Sequence, residues 1–150
     1  MKIIRKIAVT ALVLALASCS SSEQVDVLVV GGGVSGTAAS IQAARMGVRT
    51  MVLEETPWIG GMLTAAGVSC VDGNNRLRSG IFGEFADSLV ARYGSNEALQ
   101  SGWVSNINFD PHIGHEILTN MADACGPLLT VRREAVVTDV QGEAGDWTVT

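Results

Sequence analysis

A chain of 150 residues has room for about one domain. With 47% hydrophobic and 17% charged residues it reads as globular, which excludes an intrinsically disordered chain. Its net charge of −5 argues against a nucleic-acid partner, which would need a basic footprint.

The chain opens with Lys2, Arg5 and Lys6, followed by an apolar run from Ile7 to Ala17 broken only by Thr10. That run is shorter than the ~20 apolar residues of a membrane-spanning helix. Its basic start and small-residue end are those of an export signal. At its end, Leu16-Ala17-Ser18-Cys19 resembles a bacterial lipobox. The resemblance implies a lipoprotein signal peptide over residues 1–18 and acylation of Cys19 through its nucleophilic thiolate. Residues 19–24 would then be a polar tether, and acyl chains on Cys19 would hold the protein at a membrane without spanning it. Ser20 in place of Asp resembles the outer-membrane sorting pattern, so the expected location is the outer membrane or periplasm. The alternative is an ordinary secretory signal with an incidental cysteine.

Val25 to Val30 is mostly β-branched and apolar on both faces, as in a central parallel strand covered by helices. Gly31-x-Gly33-x-x-Gly36 follows directly, then good helix formers from Thr37 to Met46, with Ala38, Ile41, Gln42 and Arg45 at helical spacing. Gly47 closes the helix, and Val48 to Leu53 reads as a second strand. This is a βαβ unit of the expected ~30 residues. In that setting Gly31 allows the tight turn, Gly33 lets a pyrophosphate approach bare backbone, and Gly36 lets the helix pack close. Gly32, Val34 and Ser35 would offer main-chain N–H groups beside the positive end of the helix. Glu54 stands 18 positions after Gly36, near the ~20 expected of a carboxylate that grips an adenosine ribose. Glu55 is a weaker candidate for the ribose or the purine edge.

Nicotinamide domains usually pass from this second strand into another helix. Here Pro57 blocks an immediate helix, and Gly60-Gly61 makes a second close-approach loop. The combination "VLVVGGGVSGTAASIQAARMG…VLEETPWIGGM" resembles FAD-dependent oxidoreductases of the two-dinucleotide-domain type, in particular a bacterial exported family. The resemblance runs through Gly31, Gly33, Gly36, Glu54, Gly60, Gly61 and Met62, and is densest over Val25 to Gly73. It implies FAD as cofactor, with the Gly60-Gly61 loop against its pyrophosphate and flavin. It also implies a Rossmann-like FAD-binding domain over residues 25–150, a parallel sheet with a β-meander insertion.

Farther on, Ile81, Phe82, Phe85, Leu89 and Val90 have helical spacing up to Gly94. Arg76 and Arg78 just before it are solvated loop charges, or face a flavin or anionic substrate. A further helix is expected with Asp110 as N-cap and Pro111 at its first position. His112 and His115 share a face of it, but no ligand cluster accompanies them and no metal site is read there. "LLTVRREAVVTDV" predicts two strands, Leu128 to Val131 and Ala135 to Val140. The second resembles the flavoprotein strand whose backbone meets the adenine, which points to Val137. Gln141 to Asp146 is turn-like, and "DWTVT" starts another strand. Cys70 and Cys125 would sit in a compartment that permits a disulfide. Pairing and two small buried thiols both stay open.

The resembling fold needs a further strand and a substrate domain after Thr150, so the chain is expected to be an N-terminal fragment. The reading that emerges is a lipid-anchored flavoenzyme transferring hydride to or from a small molecule, with an extracytoplasmic setting pointing to a sugar or sugar acid. A nicotinamide-dependent dehydrogenase and a non-catalytic nucleotide-fold lipoprotein are the alternatives.

Overall fold

The structure, a computed structural model, describes residues 22–72, 76–100 and 106–150. The signal segment and Cys19 lie outside the described residues.

Strand β1 (Val27–Val30) leads into helix α1 (Val34–Arg45), which returns to β2 (Thr50–Glu54). The two strands pair in parallel, Val27 opposite Thr50 and Val30 opposite Leu53. Parallel neighbours need such a crossover, and a helix long enough to span the strand supplies it. The helix begins at Val34, earlier than its formers from Thr37 suggest, because Gly33 takes the N-cap position. Its buried stripe is Thr37, Ser40, Ile41 and Ala44. Of the stripe anticipated from spacing only Ile41 is in it; Gln42 and Arg45 face out. The phase is set by the close approach of Gly36 to the sheet, which no hydrophobic pattern reports.

Two short strands, β3 (Cys70–Val71) and β4 (Ile107–Asn108), pair antiparallel around helix α2 (Gly80–Tyr93). Helix α3 (Pro111–Asp123) follows, then β5 (Leu129–Arg133), which pairs in parallel with β2, Glu54 opposite Arg133. The order β1-β2-β5 puts β1 at an edge of the three-stranded sheet among the described residues, not at its centre as its two-faced apolar composition suggests. The core lies between this sheet and the three helices: Ile41, Val52, Ile59, Phe85, Leu89 and Leu118 are among its members. Phe85 and Phe109 meet edge to face at 5.4 Å between ring centroids, the geometry that aromatic quadrupoles favour.

Asp110 does cap α3 by backbone position, but its side chain caps nothing. The Tyr93 hydroxyl donates to its carboxylate at 2.8 Å and accepts from its N–H at 2.8 Å. The end of α2 is thereby tied to the start of α3.

The C-terminal part departs from expectation. The strand expected over Ala135 to Val140 does not form: residues 135–139 are not strand, and Val140 opens a later one. At Glu134 the backbone turns to φ 55°; the Ala135 N–H still donates to the Glu54 carbonyl at 3.0 Å, after which the chain leaves the three-stranded sheet, and the N–H groups of Thr138 and Asp139 donate instead to the Thr150 carbonyl. Pairing resumes in an exposed antiparallel hairpin of β6 (Val140–Glu143) and β7 (Asp146–Val149). Gln141 to Glu143 are therefore strand, and the turn shrinks to Ala144 and Gly145. The other expected strand shifts from Leu128–Val131 to β5, because Leu128 ends a short 3-10 turn. Cys70 and Cys125 are both free thiols. No helix among the described residues is long and apolar enough to cross a membrane.

Candidate functional site

The glycine turn leaves the C-terminal end of β1, where ligands of parallel α/β sheets gather. Gly31 sits at φ 96°, a conformation open to glycine at little cost, and donates its N–H to the Leu53 carbonyl at 2.8 Å. The main chain of the next residue, Gly32, is held at both its N–H and its carbonyl. The Gly32 N–H donates to Glu54 Oε2 at 2.8 Å. The Gly32 carbonyl accepts from Thr37 Oγ1 at 2.8 Å and from the Gly60 N–H at 2.8 Å. With donor and both acceptor sites used, the turn has little freedom left. A Cβ on Gly32 would meet that of Glu54 at 2.9 Å, and one on Gly36 would collide with the Gly31 carbonyl oxygen. Gly36 is thus the close-packing glycine.

Gly33 behaves oppositely. A Cβ there would meet nothing within 4 Å. Space lies beside its backbone, and the helix that starts at it has no side-chain cap. The N–H groups of Gly33, Val34, Ser35 and Gly36 have no hydrogen-bond partner among the described residues. Free N–H groups at a helix N-terminus attract anions.

The second glycine loop closes on the first. Gly60 adopts φ 106° and heads a 3-10 turn over Gly61–Leu63. A Cβ on Gly61 would meet the Cα of Gly33 at 2.9 Å, so the two loops touch backbone to backbone. Around this contact Val30, Val34 and Met62 are 62%, 43% and 64% exposed, an apolar rim of the kind that marks a binding surface.

Glu54 is buried, at 6% exposure. Besides the Gly32 N–H it accepts from the Thr56 N–H at 2.8 Å and Thr56 Oγ1 at 2.6 Å, both on Oε1. Thr56 Oγ1 also lies 2.8 Å from the Trp58 carbonyl, but its single proton favours the charged acceptor. A carboxylate has about four acceptor sites, so Oε2, which takes only the Gly32 N–H among the described residues, keeps one open. Glu55 is exposed and Val137 half-buried. Val137 lies in the non-strand stretch 135–139, and its own main-chain groups have no partner among the described residues.

The other residues considered are apart from this centre. Arg78 donates to Asn96 Oδ1 at 2.6 Å and lies 3.4 Å from Asp87; with Arg76 it lines a polar cavity of about 310 Å³. His112 is exposed. His115 stacks on Trp58. No group of three metal-ligating side chains occurs among the described residues. Thr37 and Thr56 were not foreseen. Their signal is faint: a hydroxyl just after each loop, on the side that turns inward.

Two bare loops in contact, unpartnered N–H groups at a helix start and a carboxylate at the next strand end define a dinucleotide-binding α/β domain. A model of the family described as FAD dependent oxidoreductase matches residues 26–150, and the chain belongs to that family, whose cofactor is FAD. The chain is 35% identical over 74 residues to the mitochondrial dihydrolipoyl dehydrogenase of Dictyostelium discoideum, a match covering 49% of this chain and 15% of that one. It is 50% identical over 48 residues to sarcosine oxidase subunit alpha of Corynebacterium sp. (strain U-96), covering 32% of this chain and 5% of that one. In fold it resembles OxyS anhydrotetracycline hydroxylase from Streptomyces rimosus, with a TM-score of 0.56 and 20% identity over 85% of this chain and 28% of that one. The matched part is thus a small fraction of each relative's length.

Proposed function

We propose that this chain carries the FAD-binding part of an exported, lipid-anchored oxidoreductase acting on a small molecule. The observation that carries the cofactor assignment is the contact of Gly61 on Gly33, beside N–H groups without partners among the described residues. Gly33 to Gly36 would receive the pyrophosphate, with the helix start offsetting its charge. The free acceptor site on Glu54 Oε2 would orient the adenosine ribose, and the bare Val137 backbone would face the adenine. Gly60, Gly61 and Met62 would close over the pyrophosphate and flavin side. FAD supplies the hydride chemistry when bound; the protein binds, orients and shields it.

The wider reading rests on sequence. Cys19 at the end of the apolar run supports acylation and a place at the outer membrane or periplasm. That location in turn supports a sugar or sugar acid as substrate, and the likeness over Val25 to Gly73 supports the two-dinucleotide-domain type. Reconstituting the full protein with FAD should give absorbance near ~375 and ~450 nm. Uptake of NAD with none of FAD would replace this reading by the nicotinamide one, and uptake of neither would favour a non-catalytic lipoprotein. Separately, Cys19→Ser should abolish incorporation of a labelled fatty acid; undiminished labelling would remove the anchor assignment.

A further inference from the structure

We propose that the Trp58–His115 stack is a positioning device for the dinucleotide site, by which helix α3 presses the second glycine loop onto the phosphate turn. The proposal rests on the FAD reading of that site. The Trp58 and His115 rings are parallel to within 5°, with centroids 5.2 Å apart, a separation at which aromatic rings attract in offset stacking. One turn along the same face of α3, Leu118 Cδ1 lies 2.7 Å from where a Cβ on Gly60 would be. His115 and Leu118 therefore grip the loop at Trp58 and at Gly60. Between them Ile59 is fully buried, and its carbonyl accepts from Thr64 Oγ1 at 2.8 Å. From the gripped segment two contacts reach the phosphate turn directly: the Gly60 N–H on the Gly32 carbonyl and Gly61 on Gly33. The side chain at position 115 thus acts on the cofactor through the loop and is a positioning residue.

The surroundings of the imidazole favour its neutral form. Its Nδ1 is buried with no well-formed hydrogen bond among the described residues. Burial lowers its proton affinity and the Arg133 guanidinium lowers it further, while a hydrogen-bonding contact with the Ile59 main chain opposes them. A planar apolar ring of similar size should therefore do the same work, which separates stacking from any acid–base role.

The test uses the full chain with His115→Ala, His115→Phe and Trp58→Leu, reading the FAD dissociation constant by titration and folding by circular dichroism. His115→Ala should weaken FAD binding about tenfold, the scale of one lost aromatic contact, and His115→Phe should restore it to about the parent value. Trp58→Leu should match the loss, and combining it with His115→Ala should add little, since both remove one interaction. Parent-like affinity in His115→Ala, or failure of Phe to rescue it, overturns the proposal while leaving the FAD site in place. If His115→Ala does not fold, Trp58→Leu carries the test, and unchanged affinity there overturns it equally. A parent chain that takes up no FAD sinks the underlying reading as well.

Discussion

Among the residues, neighbouring glycines of one motif have opposite duties, and substitution should separate them. Gly33→Val puts its side chain into open space at a φ of −61°, which any residue adopts. Folding should be unchanged by urea titration, while FAD affinity falls at least about 100-fold, or ~2.7 kcal/mol. Gly36→Ala drives a methyl onto the Gly31 carbonyl oxygen. It should lower unfolding free energy by ~1–3 kcal/mol even without cofactor. If Gly33→Val unfolds the chain, or Gly36→Ala leaves stability intact, the division of labour is wrong. Glu54→Gln tests a third role. The amide has only one acceptor oxygen and must turn its NH2 on the Gly32 or the Thr56 donors. A loss of about 1–3 kcal/mol of stability is expected from the unsatisfied buried group, together with weaker FAD binding. A fully stable Glu54→Gln would mean that the carboxylate does not hold the turn.

At the scale of elements, ion pairs and one imidazole set the response to acid. Arg45 of α1 holds Glu84 of α2 through two bonds of 2.7 and 2.8 Å, and this partner keeps the Glu84 carboxyl below its ordinary value of 4.5. Stability from the pair is present above that value and is lost as pH falls through the lowered one. Because both side chains are solvated, the gain is small and salt-sensitive. His115 acts higher on the scale. Its folded-state proton affinity lies below the ordinary value of 6.5, so the folded chain resists a proton that the unfolded chain accepts. Its contribution is complete above 6.5 and declines as pH drops below that value toward the depressed one. Urea midpoints measured between neutral and mildly acid pH should fall for the parent and flatten in His115→Phe. An equal decline in both would place the acid sensitivity elsewhere.

For the whole molecule, the cofactor site is also a stabilising joint. The two loops and the start of α1 meet where the unpartnered N–H groups lie, so a ligand that binds only the folded chain raises its stability by mass action. At about 100 times its dissociation constant FAD should add ~2.7 kcal/mol, a rise of several degrees in melting temperature that thermal-shift measurement would detect. No shift with FAD in a chain that stays folded would contradict the assignment. Much of this joint was legible in the sequence. Gly31, Gly33, Gly36, Glu54 and the Gly60-Gly61 pair carry it, because each glycine marks a place where backbone must bend or come close and the acid marks a strand end. Less legible was the C-terminal part, where β-type residues from Val136 to Thr138 leave the sheet after Glu134 turns the chain. A β-branched composition states a preference for extended backbone and says nothing about whether a partner strand is there.

The amino-acid order by itself determined the βαβ unit, the glycine turn and the acid at its proper distance, because these are local: turn, helix and strand lie within one short stretch and obey short-range sterics. Only the tertiary structure decided that Thr37, Thr56 and the Gly60 N–H lock the turn, that β1 stands at a sheet edge among the described residues, and that Trp58 lies on His115. The Gly60–Gly32 and Trp58–His115 contacts join residues far apart in the chain, the two threonine hydroxyls act locally on Gly32 and Glu54, and packing, not local preference, chooses which distant surfaces meet.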